Sequence, residues 1–251
     1  MSGHSKWASI KHQKGVTDAR RGQLFTKLTR EIIVAVREGG NNPDTNFRLR
    51  LAVQKARDSN MPLDNIERAI KRGSGELEGI TLTEMVLEGY GPGGVAIMVE
   101  ALTDNRNRTL QDIRNIFSRG SGSLGESGCV AWLFEPKGLI TVETNDLDTE
   151  ELVLQVIDAG AEDVAIESDH VEIYTKTDEL ESVRAILEQK GMTVNSAELV
   201  NLPKTTIELE EKTALQTLKL LHKLEELDET RSVCSNIDFT DSVLEKYQEQ
   251  V

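Results

Sequence analysis

The chain has 251 residues, 38% of them hydrophobic, and a formal net charge of -14. No run approaches the ~20 apolar residues of a membrane-spanning helix, and the polar, basic start lacks the apolar centre of a secretory signal. The two cysteines, Cys129 and Cys234, form neither a Cys-x-x-Cys pair nor a zinc-ligand spacing, which predicts reduced thiols in the cytoplasm and no metal site.

The average charge hides an asymmetry. Residues 1–75 carry 15 Lys and Arg against 7 Asp and Glu, whereas the remainder carries 14 against 36. A basic end on an acidic chain predicts a polyanion partner that is held locally and in one orientation.

In chain order, residues 1–16 show no apolar periodicity and read as a mobile arm. Thr17 caps a helix running to about Glu38 and closed by Gly39-Gly40. Leu24, Leu28, Ile32, Ala35 and Val36 make its apolar face, with Arg20, Lys27, Arg30 and Arg37 on the opposite arc. Further helices are expected from Thr45 to Asp58 and from Pro62 to Arg72, with Gly73 just past the end and Gly73-Ser-Gly75 as a linker. The period then becomes strand-like. Met85–Tyr90 and Val95–Leu102 form a hairpin around Gly91-Pro-Gly-Gly94, followed by a helix from Arg108 to Arg119 and a strand from Cys129 to Phe134. Strand 138–143, helix 149–159, strands 164–167 and 170–175, helix 179–190 and strand 197–201 follow the split β-α-β-β-α-β order. A strand, a helix and a strand then close the chain, up to Ile237. The expected fold is α+β and multidomain, a three-helix domain (1–75) followed by two ferredoxin-like α+β domains, one (136–201) inserted in the other (76–135 with 202–251).

The chemistry concentrates in the basic segment. Lys6, Lys11, Lys14, Arg20 and Arg21 are interleaved with Trp7, His4 and His12, and only Asp18 is acidic among the first 30 residues. Phosphates attract such cations through counterion release, and a ring on a mobile arm can stack on an unpaired base. Lys27, Arg30, Arg68, Lys71 and Arg72 extend the candidate surface. Arg106 and Arg108 open a helix against its dipole, which makes them candidates for a partner contact. Gly120-Ser-Gly-Ser-Leu-Gly125 matches Gly-x-Gly-x-x-Gly, but it follows a helix and precedes a strand, so it reads as a helix exit and a flexible loop; backbone N–H groups binding a phosphate are the alternative. The four histidines lie at no metal-ligand spacing, and no nucleophile or zincin motif occurs. The expectation is a non-enzyme with no cofactor and no small-molecule substrate.

Several motifs carry a resemblance: Gly3-His-Ser-Lys-Trp-Ala, Ile10-Lys-His12, Phe25-Thr-Lys-Leu, Asn60-Met-Pro, Asn65-Ile-Glu-Arg-Ala-Ile-Lys-Arg-Gly73, Glu88-Gly-Tyr-Gly-Pro-Gly-Gly-Val95, Leu102-Thr-Asp-Asn-Arg-Asn-Arg-Thr109 and Leu124-Gly-Glu-Ser-Gly128. In this order they resemble the YebC/PmpR family, which includes related mitochondrial translational activators. The resemblance covers essentially the whole chain and is less distinctive from about Gly138. It implies a cytosolic bacterial protein without known catalysis, a helical first domain and two α+β domains. It also implies that the arm around Lys6, Trp7, Lys11, His12 and Lys14 touches nucleic acid; Gln13 and Val16 depart from the pattern. The family's usual description implies a DNA-binding transcriptional regulator. The alternative is a ribosome- or rRNA-binding translation factor that relieves stalling at polyproline-type stretches, and a cationic arm with Trp and His suits structured RNA better than a duplex groove.

Overall fold

The computed structural model describes residues 18–78, 81–143, 149–166 and 170–249. Helices α1 (Asp18–Gly39), α2 (Phe47–Asp58) and α3 (Leu63–Gly73) come first. Leu28, Ile32, Val36, Leu49, Ala52, Val53, Ile66 and Ala69 make their common core.

The ends of these helices are fixed by named side chains. Asn46, 5% exposed, joins α1 to α2. Its Oδ1 accepts the Leu49 N–H at 3.0 Å, capping α2, while its Nδ2 donates to the carbonyls of Ala35 and Gly40, both at 2.7 Å. One amide thus satisfies groups that both helix ends would otherwise leave orphaned. Helix α2 ends in a Schellman turn. Asn60 sits in the left-handed region (φ 54°), its N–H reaches the Arg57 carbonyl, and the Met61 N–H reaches that of Ala56.

Gly73 corrects one expectation. It lies inside α3, buried, and a Cβ there would stand 2.7 Å from the Val36 Cβ and 3.0 Å from the Ile33 carbonyl oxygen. Its smallness lets α3 approach α1, and Gly75 (φ 84°) is the residue that ends the helix. Residues 73–75 are a helix cap rather than a linker, because the N–H groups of Gly75 and Glu76 bond back to the carbonyls of Arg72 and Lys71.

Strands β1 (Thr83–Tyr90) and β2 (Ala96–Thr103) form the expected antiparallel hairpin, with Glu88 opposite Met98. Helix α4 (Arg106–Arg119) and strand β3 (Ser123–Leu124) follow. The expected strand over 129–134 does not form: Ala131–Leu133 is a single 3-10 turn, and the next strand begins at Phe134. The physical reason is Glu88. Its carboxylate takes the N–H groups of Gly128, Val130 and Ala131 at 2.7, 2.8 and 2.8 Å, so they are not offered to a neighbouring strand.

The chain next builds β4 (Phe134–Glu143), α5 (Thr149–Asp158), β5 (Asp163–Ile166), β6 (His170–Thr175), α6 (Leu180–Gln189) and β7 (Val194–Pro203). Residues 134–202 make a compact unit of their own. Its sheet order, β5-β6-β4-β7, is that of the split β-α-β-β-α-β fold. Ile140, Val142, Val156, Val171, Ile173, Val183 and Leu187 are among its buried apolar residues.

The last segment returns as β8 (Ile207–Glu208), α7 (Glu211–Glu225), β9 (Thr230–Ser235), β10 (Ile237–Asp238) and α8 (Asp241–Glu249). Strand β9 pairs with β2, which gives the order β3-β1-β2-β9 with the hairpin at the centre. Ile97, Val99 and Val233 meet Ile113 and Phe117 of α4, Leu218, Leu221 and Leu224 of α7, and Val243, Leu244 and Tyr247 of α8. Helix α8 lies beyond the last element expected from the sequence. The whole is α+β, with eight helices and two four-stranded antiparallel sheets among the described residues.

Candidate nucleic-acid interface

Lys6, Trp7, Lys11, His12, Lys14 and the cap Thr17 lie outside the described residues, as does the side chain of Arg20 at the start of α1. Arg21 is exposed, and its guanidinium stands over the Phe25 ring, 5.6 Å from the centroid.

The middle of the cationic arc of α1, at Lys27 and Arg30, is not a solvent face, whereas Arg37 at its end is exposed. Lys27 Nζ donates to the Glu225 carbonyl at the end of α7. Arg30 donates to the Leu102 carbonyl at 3.2 Å and stands 3.5 Å from the Glu229 carboxylate. Val34, on the same arc, is 4% exposed. Lys27 and Arg30 therefore seat α1 against α7 and β2, and the helix is covered on both sides. Arg48 is likewise engaged, holding Glu31, Glu38 and Glu84, while Arg231 takes the other oxygen of Glu31 at 3.1 Å. Burial pulls the Arg48 guanidinium down, but Glu31 and Glu84 outweigh it and hold the group permanently charged.

Arg106 and Arg108 are also anchored locally. Asn105 caps α4 by accepting the Arg108 N–H at 3.1 Å. The Arg108 guanidinium bonds Asp104 at 2.7 Å and Glu229 at 3.1 Å, which offsets its unfavourable place at the helix start. Arg106 reaches the Glu84 carbonyl at 3.5 Å.

What remains is the C-terminal end of α3. Arg68, Lys71 and Arg72 are exposed, Arg68 one turn before the other two, and among the described residues their side chains make no ion pair or hydrogen bond. The negative end of the helix dipole favours cations there. Asp64 and Glu67 share the exposed side toward the N-terminal end, so the positive potential is concentrated in the last turn.

The glycine-rich loop is not a phosphate cradle. The N–H of Gly120 bonds the Ile116 carbonyl, that of Gly122 the Phe117 carbonyl and that of Gly125 the Glu88 carbonyl, so these donors are spent within the protein. Nor is the loop loosely held, since the Glu88 carboxylate clamps its far end. Burial pushes the Glu88 carboxyl up, yet the three N–H donors together hold it below the usual carboxylate range. Glu88 is the residue that sequence reasoning missed. The available signal was an acidic side chain in the middle of an apolar hairpin strand.

Among the described residues no group of three His, Cys, Asp or Glu side chains is arranged to hold a metal ion, and no helix is long and apolar enough to cross a membrane.

Comparison with known proteins places these features. Residues 5–76 match the family model described as the TACO1/YebC protein N-terminal domain, and residues 82–237 match the TACO1/YebC second and third domain. A probable transcriptional regulatory protein of Dehalococcoides mccartyi is 62% identical over all of both chains. Another so named, from Natranaerobius thermophilus, is 50% identical over 98% of this chain and 99% of its own. The crystal structure of a conserved hypothetical protein from Aquifex aeolicus superposes with a TM-score of 0.86 at 49% identity, covering 94% of this chain and 98% of that one.

Proposed function

The chain belongs to the TACO1/YebC family, and from that premise we propose that it regulates gene expression by binding nucleic acid through its basic N-terminal part. The observation that carries the reading is the uncompensated cationic turn of Arg68, Lys71 and Arg72, in the same family domain as the arm bearing Lys6, Lys11 and Lys14. The acidic remainder of the chain repels phosphate and restricts binding to that end. The relatives' names favour DNA at promoters as the target.

A second reading, rRNA and the ribosome, is favoured by a specific observation. A groove reader needs a helix that offers free side chains to base edges. Here the cations of α1 and α2 at Lys27, Arg30 and Arg48 are consumed by internal partners, and α3 offers acidic side chains beside its basic ones. An arm and a helix end that grip phosphate and stack on unpaired bases suit structured RNA better, and relief of stalling at polyproline-type stretches is the corresponding activity.

Sucrose-gradient fractionation of a lysate separates the two. Wild-type protein in the ribosomal fractions, lost when Lys6, Lys11 and Lys14 are all changed to Glu, supports the RNA reading. Protein confined to the top of the gradient, with salt-sensitive binding to promoter DNA that the same variant loses, supports the DNA reading. Binding to neither, at moderate salt, overturns both.

A further inference from the structure

One aromatic pair stands out from the surface. Trp132 is 66% exposed and Tyr90 39%. Both are tethered by their polar tips to one acceptor: the Tyr90 hydroxyl donates to the Cys129 carbonyl at 3.0 Å and the Trp132 Nε1–H to the same oxygen at 3.1 Å. The backbone beneath them is held by the Glu88 clamp at Gly128, Val130 and Ala131. The Trp132 carbonyl in turn accepts from Lys204 Nζ at 3.0 Å. Two large rings are thus immobilised while much of their surface stays in water. An exposed indole held this way has already lost the freedom that binding would otherwise remove, which is the condition of an interface anchor.

We infer that Trp132 and Tyr90 form a platform for a basic segment of a partner protein, with an Arg or Lys side chain laid on the indole face. The choice of partner rests on charge. The Glu126 carboxylate is exposed and, among the described residues, unpaired, and Glu88 lies behind the loop. The Cys129 thiol reports the same field: burial raises it first, and Glu88 and Glu126 raise it further. Lys204 is the neighbouring cation, and its ammonium is turned to the backbone. Beyond residue 75 the chain carries 36 acidic against 14 basic residues. A nucleobase also stacks on indole, but its phosphate would meet the exposed Glu126 carboxylate; a guanidinium gains from both the ring face and Glu126. The inference goes beyond the nucleic-acid reading and holds for either target.

The test uses the full chain. The sequence has two tryptophans, so Trp7→Phe leaves Trp132 as the sole indole. Its emission is titrated with the peptide Gly-Arg-Gly-Arg-Gly-Arg-Gly and with oligothymidylate at physiological salt. Saturable quenching by the peptide and not by the oligonucleotide is expected. With a fluorescein-labelled peptide read by anisotropy, Trp132→Ala should bind about tenfold more weakly, the size of one partly desolvated cation–π contact, Glu126→Gln about threefold more weakly, and Trp132→Phe should keep most of the affinity. Equal affinity in Trp132→Ala, or quenching by oligothymidylate in preference to the peptide, overturns the inference. Neither result bears on nucleic-acid binding by the arm, so the two readings fail separately.

Discussion

Replacing Glu88 should release the loop that carries Trp132. The side chain is 5% exposed, and its two oxygens accept three backbone N–H groups. A hydrogen bond to an ionised group contributes about 1.5–3 kcal/mol, and a buried donor left unsatisfied costs about 1–3 kcal/mol. Glu88→Gln keeps one acceptor oxygen but turns an NH2 toward donors, so at least one N–H loses its partner and the charge assistance is gone from all three. Contributions within one such cluster do not add fully, which puts the cost at about 2–4 kcal/mol, or roughly 30- to 1,000-fold in the opening equilibrium at 1.4 kcal/mol per decade. Amide hydrogen exchange at Gly128, Val130 and Ala131 should accelerate by that factor, while amides of β4 and β6 stay unchanged. The pH dependence has a definite sign. Because the carboxyl is held below its ordinary value in the folded chain, its contribution is complete above the unfolded carboxyl's pKa and is lost as pH falls through the depressed folded value. Exchange rates in the Gln variant that match wild type at neutral pH would refute the clamp.

Other outcomes follow from the same geometry. Asn46→Ala should destabilise the three-helix part by about 2–4 kcal/mol, since it removes a helix cap and strands two carbonyls; urea unfolding monitored by helix content checks this. Gly73→Val should cost about 1–3 kcal/mol, or more if α3 cannot shift, by driving a side chain into Val36, and is read as a lower urea midpoint. Ser121 holds φ at 59°, so Ser121→Gly should stabilise by a few tenths to about 1 kcal/mol, read as a higher midpoint. Changing Arg68, Lys71 and Arg72 to Ala should weaken nucleic-acid binding regardless of sequence and flatten the logarithmic salt slope by about 3, whereas Arg37→Ala, exposed at the far end of α1, should leave that slope nearly unchanged.

The sequence made the helices of the N-terminal part legible because their apolar residues recur at helical spacing, and the hairpin because a Gly-Pro-Gly-Gly turn separates two short apolar runs. What escaped were features set by distant partners. The arc of Lys27 and Arg30 has the spacing of a solvated face, and its carbonyl partner at Glu225 lies 198 residues further on. Gly73 has the composition of a helix stop, yet its constraint is the flank of another helix. The 129–134 segment has strand-forming residues, but a carboxylate from β1 takes its N–H groups. Helix α8 went unread because its Val243, Leu244 and Tyr247 make a stripe only two turns long. The cationic turn at Arg68, Lys71 and Arg72 was legible, since those charges face solvent and need no tertiary partner to be recognised.

The pairing of β2 with β9 bears on how the molecule is made. Ile97 lies opposite Ser235, and the Lys204 N–H bonds the Leu133 carbonyl at 2.8 Å, where the chain leaves for residues 134–202 and returns. During synthesis the three helices and the 134–202 unit each have their own apolar residues complete long before the chain ends. The surrounding sheet does not. Its α7, β9 and α8 emerge last, and until then the hairpin of β1 and β2 must wait with one edge unpaired and its helix-facing side covered by α4 alone. Closing so large a loop is slow relative to local contacts, so that hairpin is the segment most in need of protection on the ribosome. A destabilising change in α7 or β9 should therefore lower the yield of soluble protein more than a change of equal thermodynamic cost in α1.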